Sequence, residues 1–426
     1  MKKRIGLLIY PFFMLFISFN MLSQSAYDSF TELSFDQTRK ILQSKEDQNL
    51  HDVYLDNLND CSDLILNRNK EDYRLFSNRF EQRIEQIESF PEQAAKGFYP
   101  AEIRVQWAFV AAKHGDHWTA FWTLRKAMLL IKKNRERYPD YELNLRTLGL
   151  LNVVLDIVPR NRQWMLTLFG MEGDFEEGYQ QLTTTLRLEK QWSLESRLIL
   201  SLIDAYILEQ NVDYALLPDE PLFAYVKGLV SMKQQQAQKA ISHFETLNER
   251  LSVTPYLLAE AHFMLGQYDD ALKYYEQFLQ KNHSQYRKDA LIKSGLCYWF
   301  QDLPEQIAQD YFEKAKLEEE SSTEIDRNAS KILSELEEIR PQLLQLRYYL
   351  DGGAFEKAKE LVKALSIIDM EEKEVLELTY RKARLYKLTG ALTKAKIYFN
   401  EVTEEKKQTK RRLHPTLFFP TTGSHC

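Results

Sequence analysis

The sequence predicts an all-α protein built from consecutive helical hairpins, an α-solenoid. Its 426 residues include only 14 glycines and 12 prolines, so few positions interrupt regular structure. Apolar residues recur with helical spacing, as in the stripe Leu272, Tyr275, Phe278 and Leu279, and the alternating pattern typical of strands is absent. Small residues also recur within these segments, as expected where helices cross closely.

The first 25 residues have the pattern of a bacterial secretory signal peptide, and we expect them to be removed. Basic residues at positions 2–4 precede an apolar run over residues 5–22, and Ser23 and Ser25 supply the small-residue cleavage pattern before Ala26. This predicts a periplasmic or secreted protein without a stable membrane span after cleavage. The alternative is an uncleaved N-terminal anchor, because the run is just long enough to cross a bilayer.

The charge of the mature chain argues against nucleic acid as its main partner. Removal of the signal leaves 53 basic and 62 acidic side chains, a net charge of −9. Residues 26–405 alone have 48 basic and 62 acidic side chains, a net charge of −14, which would repel a phosphate backbone. The three cysteines, Cys61, Cys297 and Cys426, are too few and too scattered for a disulfide framework.

One stretch explains the recurring small residues. In LAEAHFMLGQYDDALKYYEQFL, residues 258–279, Gly266 separates two amphipathic segments that carry Ala259 and Ala271, and Tyr275 follows one turn later. Two antiparallel helices pack closely only where such small side chains lie at their crossing. Other segments place small residues in the same way; they are Ala108, Ala120, Gly228, Ala240, Gly295, Ala308, Ala358, Ala383 and Ala395.

These residues resemble the tetratricopeptide-repeat (TPR) superfamily over residues 101–404. The resemblance implies helix-turn-helix units of about 34 residues that form a curved, protein-binding surface. In addition, residues 146–178, RTLGLLNVVLDIVPRNRQWMLTLFGMEGDFEEG, look like a segment of uncharacterised bacterial TPR proteins that are distantly similar to the inclusion-body clearance family. That second resemblance implies no particular activity.

The same signals divide the chain into five segments. Residues 1–25 are the signal peptide, 26–100 an N-terminal helical region, 101–220 TPR-like repeats with a degenerate unit, 221–405 a TPR array, and 406–426 a basic, poorly ordered tail. In the array, Ala240, Ala271, Ala308, Ala358 and Ala395 are separated by 31, 37, 50 and 37 residues. We interpret the longest step as a lengthened helix that bends near Pro341.

The resemblance also indicates which side chains face the inner, concave surface. Aromatic residues and methionines at such positions are typical of partner-binding surfaces. The alternative is that neighbouring helices of the array cover them, and the sequence leaves both open. The candidate groove residues are Tyr225, Met232, Tyr256, Phe263, Met264, Trp299, Tyr380, Arg384 and Lys387.

No pattern in the sequence indicates catalysis or a cofactor. His114, Asp116 and His117 are of the types that bind zinc, but they fall at an inter-helix turn where polar residues are expected anyway. Nucleophile elbows, phosphate-binding glycine loops and paired-histidine zinc motifs are absent from the sequence. We therefore expect no enzyme activity, no metal and no cofactor.

The leading hypothesis is a non-catalytic scaffold of the bacterial cell envelope that binds peptides or helices of partner proteins in its groove. The alternative is an envelope glycan-binding or enzyme-accessory protein, whose aromatic side chains would stack on sugar rings. The sequence does not indicate the oligomeric state.

Overall fold

The structure is a computed structural model that describes residues 24–412 except 69, 189, 215–216, 248–249, 282–284, 319–323 and 339. These residues form 21 α-helices and no strand, which confirms the all-α helical-repeat fold. The expected signal peptide lies outside the described residues except for its last two, and the expected tail lies outside them beyond residue 412.

The described residues of the first half of the chain form ten helices. They are α1 (Gln24–Thr31), α2 (Phe35–Gln43), α3 (Leu50–Leu66), α4 (Lys70–Glu88), α5 (Ala94–Lys113), α6 (His117–Arg137), α7 (Leu143–Asp156), α8 (Arg160–Leu168), α9 (Phe175–Thr184) and α10 (Lys190–Ile203). A short π-turn, Asp204–Leu208, extends α10.

The second half contains the remaining helices. They are α11 (Pro221–Lys233), α12 (Ala237–Glu245), α13 (Thr254–Met264), α14 (Tyr268–Leu279), α15 (Arg287–Trp299), α16 (Glu305–Leu317), α17 (Glu324–Glu335), α18 (Pro341–Gly352), α19 (Phe355–Ala364), α20 (Glu372–Leu388) and α21 (Leu392–Arg412).

Several helices begin where the sequence supplies a partner for the first backbone N–H groups. Asn49 and Asp52 form a reciprocal capping box at the start of α3, and the carboxylate of Asp116 accepts the N–H of Thr119 at 3.0 Å in α6. Pro341 is the first residue of α18, where its missing N–H costs nothing. A capping side chain such as that of Asn49 or Asp116 stabilises its helix by about 1 kcal/mol.

Consecutive helices pair as hairpins: α5 with α6, α11 with α12, α13 with α14, α15 with α16, α18 with α19, and α20 with α21. Their crossings leave no room for larger side chains. A Cβ added to Gly295 would lie 2.5 Å from the ring of Phe312, and one added to Gly228 would overlap the ring of Phe244. The small residues that the sequence places at helix crossings are buried. The exception is Ala120, which is half-buried in the first turn of α6.

Helix α13 joins two apolar cores. Leu258 and Ala261 belong to the core that runs from α1 to α12, whereas Tyr256, Ala259 and Phe263 belong to the core of α14 to α20. A helix that is apolar on all sides is stable only when it is buried on all sides. The two halves of the molecule are therefore coupled through this helix.

The N-terminal helices pack back onto the array. Helix α1 lies against α11, and Arg250, in the segment after α12, pairs with the carboxylate of Glu32 at 2.5 Å. The backbone N–H of Ser252 donates to Asn67 at 3.0 Å, just beyond the end of α3. The region that the sequence separates as residues 26–100 thus shares its core with the repeats.

Helix α18 packs against α13 and α11, which precede it by several helices, and not only against its neighbours in the chain. The ring centroids of Tyr348 and Phe263 are 4.7 Å apart. A Cβ added to Gly352 would lie 2.5 Å from Met264 Cβ, and one added to Gly353 would overlap the carbonyl oxygen of Gln235. The two glycines at the end of α18 therefore permit this close approach.

Three boundaries differ from the sequence interpretation. The long step in the repeat spacing is not one bent helix, because α17 is a separate helix between α16 and α18. The boundary expected at residue 100 falls inside α5, which contains Pro100. The last helix continues past residue 405 to Arg412, since residues 405–412 are Lys, Arg, Gln, Glu and Thr, most of them good helix formers, and the first proline comes later.

The close approach of α18 can be tested at Gly353, which ends the helix with a φ of +83°. We expect Gly353→Ala to lower the free energy of unfolding by about 3 kcal/mol, because it adds backbone strain and a clash with Gln235. The matched control is Gly390→Ala, where φ is +80° and nothing lies within 4 Å of an added Cβ. It should lose only about 1 kcal/mol from strain alone. Equal losses in urea denaturation would contradict the close approach.

Candidate functional site

The structure covers the central part of the expected groove. Tyr225, Tyr256 and Phe263 are 3%, 4% and 0% exposed. Tyr348 of α18 packs on Phe263, and Tyr268 of α14 donates to Tyr349 at 3.2 Å. The sequence left open whether neighbouring helices cover the inner surface, and for these three rings they do. As placed, the rings stabilise the core and cannot touch a partner.

The remaining aromatic and methionine candidates of this region are half-buried. Met232 packs against the first core, and Met264 lies against Gly352 of α18. Trp299, in the last turn of α15, packs edge-on against Phe312 with ring centroids 6.2 Å apart. None of the three offers a large free surface.

A buried ion cluster that the sequence analysis did not predict includes the hydroxyl group of Tyr256. Lys293 Nζ of α15 lies 2.6 Å from Glu260 of α13 and 2.8 Å from Asp289 one turn earlier. The hydroxyl of Tyr256 donates to Asp289 at 2.7 Å, and that of Tyr275 donates to Glu260 at 2.5 Å. The two buried carboxylates thus share one cation, and each accepts a hydrogen bond from one tyrosine. These contacts join α13, α14 and α15. The i,i+4 spacing of Asp289 and Lys293 was the only signal in the sequence.

Burial raises the pKa of Asp289 to about 7; Lys293 opposes this shift, and Glu260 adds to it. The carboxylate also lies where α17 reaches α15. The side chain of Asp326 accepts the backbone N–H of Tyr286 at 2.8 Å and that of Asp289 at 3.2 Å. Helix α17, which lies between α16 and α18 in the chain, therefore supplies the cap that α15 lacks on its own.

The expected groove residues that are not covered by other helices lie on α20, which packs beside α18. We define the C-terminal inner face as Arg347, Tyr380, Arg381, Arg384 and Lys387. Tyr380 and Arg384 are half-buried, and Lys387 is exposed. Of the expected groove residues, only Tyr380, Arg384 and Lys387 lie in this part of the array.

Cations outnumber anions on this face. Arg384 pairs with Asp351 at 2.7 Å, Arg347 lies 3.7 Å from the same carboxylate, and Arg381 pairs with Glu377. Burial would raise the pKa of Asp351, but Arg384 and Arg347 hold it below its usual value. The buried Nε of Arg381 has no hydrogen-bond acceptor among the described residues. The face thus carries four cations against two carboxylates.

A second surface was missed by the sequence reasoning. On the outer side of α6, the rings of Trp118 and Trp122 lie 5.4 Å apart, and Phe169 lies 5.1 Å from Trp122. Trp164 and Leu168 of α8 are 66% and 68% exposed. The signals were the motifs WTAFW and QWMLTLF, whose apolar residues outnumber those needed for one buried stripe.

The histidines considered as metal ligands have other roles. The ring of His114 stacks on Tyr73 with centroids 5.1 Å apart, and Asp116 caps α6 and accepts the hydroxyl of Tyr73 at 3.2 Å. His117 is exposed in the first turn of α6. Across the described part of the chain, no three potential metal ligands converge. Cys61 and Cys297 are buried, unpaired thiols, and Cys426 lies outside the described residues.

Removal of the buried cation tests the ion cluster. Lys293→Met should lower the free energy of unfolding by about 3–5 kcal/mol near neutral pH, because it leaves two buried carboxylates uncompensated. These groups then bind protons more tightly in the folded than in the unfolded state, so the loss should shrink as the pH falls toward about 5.

The control for this variant is Lys316→Met, which removes an exposed lysine paired with Glu313 at 2.7 Å and should change stability little at any pH. Urea denaturation at several pH values gives both comparisons. A loss for Lys293→Met that is the same at every pH would contradict the assigned role of the two carboxylates.

Comparison with known proteins agrees with this architecture. A family model of the tetratricopeptide repeat matches residues 256–284, the unit built from α13 and α14. No match was found among curated proteins, so the resemblance to the inclusion-body clearance family stays an expectation. The chain thus contains a tetratricopeptide repeat embedded in an array of helical hairpins, which supports a protein of the TPR superfamily.

Proposed function

We propose that the protein is a non-catalytic scaffold of the bacterial cell envelope that binds a partner protein through the C-terminal inner face. TPR repeats mediate protein–protein interactions, which supports the scaffold role in general terms. The observation that carries the specific proposal is the contrast along the inner surface. Its central part is filled by α18, whereas Tyr380, Arg384 and Lys387 remain accessible on α20.

The charges of this face favour a partner segment with acidic side chains. Guanidinium groups bind carboxylates through paired, directional hydrogen bonds, and here Arg347, Arg381 and Arg384 outnumber the carboxylates of Asp351 and Glu377. Tyr380 adds a flat apolar surface beside them, with its ring 6.1 Å from that of Phe399. Aromatic residues and arginines are the residue types that contribute most to binding at protein interfaces.

The envelope location rests on the N-terminal sequence pattern. In the described structure, Ser25 is exposed, whereas Ala26 and Phe30 are buried against the first core. Cleavage after Ser25 would therefore keep the buried side chains of α1 in the mature protein. No helix in the described part of the chain is long and apolar enough to cross a membrane.

N-terminal sequencing of the native protein tests the location. We expect Ala26 as the first residue and recovery with the periplasmic fraction or the medium, because the basic start, apolar run and Ser-Gln-Ser site form a cleavable signal. An intact Met1 in the membrane pellet would instead establish the uncleaved anchor.

Charge removal tests the partner face. Arg384→Gln combined with Lys387→Gln should lower capture of the partner from envelope extract by about tenfold, since two interfacial cations are lost. The captured protein is identified by mass spectrometry, and its binding is then measured with both purified components.

The matched control is Lys394→Gln with Lys396→Gln, which removes two exposed cations from α21, the outer helix of the same hairpin. Circular dichroism verifies that both variants fold. If both pairs weakened capture equally, or if only glycans were recovered, the proposed face would be wrong.

A further inference from the structure

The outer side of α6 and α8 exposes four large apolar side chains. Trp118 and Leu129 of α6 are 69% and 50% exposed, and Trp164 and Leu168 of α8 are 66% and 68% exposed. Single exposed apolar residues need no explanation, but a contiguous group that includes two tryptophans indicates a binding surface. We define the outer aromatic surface as these four residues together with Trp122 and Phe169.

The two helices form one continuous surface. Phe169, directly after α8, lies 5.3 Å from Phe121 and 5.1 Å from Trp122. Arg125 donates from Nε to the carbonyl of Phe169 at 3.1 Å, and its guanidinium lies 5.8 Å from the centroid of Trp122. These contacts hold the end of α8 against the outer side of α6.

Helix α8 is fixed mainly through its end. Leu166 is the only buried side chain among its described residues. Trp164 and Leu168 are one turn apart and therefore share a face, and both extend into solvent. A helix whose apolar face is left uncovered gains free energy when another apolar phase covers it.

The apolar residues alternate with cations. One stripe along α6 contains residues at successive spacings of three or four. They are Trp118, Trp122, Arg125, Leu129 and Lys132.

The charge of both helices is opposite to that of the rest of the protein. Helix α6 contains six basic residues and one acidic residue, and α8 contains two basic residues and no acidic one, whereas residues 26–405 carry a net charge of −14. Two kinds of acidic residue follow α8. Glu172 is exposed in the loop before α9, whereas Asp174, Glu176 and Glu177 lie at the start of α9, where Asp174 accepts the backbone N–H of Glu177 at 2.8 Å.

We propose that the outer aromatic surface docks the protein onto an anionic lipid surface. Indole rings favour the boundary between headgroups and acyl chains, and exposed leucines beside them enter the apolar layer. Lysine and arginine stems lie along such a boundary while their charged ends reach lipid phosphates. Trp118, Leu129, Trp164 and Leu168 supply the apolar contacts, and Arg125, Lys126, Lys132 and Lys133 supply the cations.

The shape of the surface favours lipid over a small ligand or sugar. Ligand sites are concave and enclose most of their ligand, whereas the four large apolar side chains here are at least half exposed to solvent. The surface also lies on different hairpins from the C-terminal inner face. Its occupation by a membrane therefore does not depend on the proposed partner protein.

Vesicle flotation of the full chain from Ala26 tests the proposal. The probes are phosphatidylcholine vesicles with and without about one third phosphatidylglycerol. We expect the protein to float only with the anionic vesicles and to be released at about 0.5 M NaCl, where charges are strongly screened. Tryptophan fluorescence should shift to shorter wavelength on binding, because Trp118 and Trp164 leave water.

Two variants locate the contact. Trp118→Ser with Trp164→Ser should weaken anionic vesicle binding by about tenfold or more and abolish the spectral shift. Lys132→Gln with Lys133→Gln should weaken binding at low salt by a smaller factor. The control is Leu317→Ser with Ile368→Ser, which removes residues that are 86% and 88% exposed elsewhere and should leave binding unchanged.

Three outcomes would overturn the proposal. They are an absence of anionic vesicle binding at low salt, equal binding by the tryptophan variant and the parent protein, and capture of a soluble glycan or protein by these tryptophans without any affinity for vesicles. Circular dichroism of each variant separates loss of binding from loss of folding, since all the substituted side chains are exposed.

Discussion

The close approach of α18 to α13 and α11 is the constraint on which the rest of the structure depends. It requires that no side chain be present at Gly352 and Gly353, where an added Cβ would meet Met264 and Gln235. Once α18 is in place, Tyr348 covers Phe263, and the inner surface of the central repeats becomes core. The partner protein proposed above would therefore bind elsewhere, and both proposed surfaces lie outside this filled region.

Buried charges fix the relative positions of helices in both cores. In each case one cation lies between two carboxylates: Arg146 between Glu102 and Glu195, and Lys293 between Glu260 and Asp289. Burial alone would lower the pKa of Arg146, but the two glutamates raise it above its usual value. Such groups add little net stability compared with apolar residues. They do penalise any sliding of helices that would separate the charges.

The helices and their pairing follow from local sequence, whereas the covered groove does not. Gly266 and Gly295 could be placed at a turn and at a helix crossing because the requirement for a small residue is local. Whether Phe263 faces solvent depends on α18, whose Tyr348 is 85 residues after it in the chain, and Tyr256 is covered by Tyr286, just before α15. Periodicity identifies the apolar side of a helix but not the neighbour that covers it.

The same limit explains the other differences. The acidic residues around α17 have the composition of a solvated helix, and only the fold reveals that Asp326 caps α15. The exposure of the tryptophans of α6 and α8 cannot be predicted from the sequence, because apolar residues on a helix ordinarily lie in the core. Their exposure follows from the position of α8 at the edge of the array, which sequence spacing does not encode.

The return of α18 to α13 also has a consequence for the evolution of the chain. In an open repeat array, each unit contacts only its neighbours, so whole units can be gained or lost while the remainder stays intact. Here Lys357 of α19 donates to the carbonyls of Leu265 and Gly266, in the turn after α13. The helices between α13 and α18 therefore have to bring α19 back to this turn. Duplication or loss of one intervening unit would break the match. The number of repeats between α13 and α18 is therefore expected to stay fixed among descendants, while changes in length accumulate at the C-terminal end.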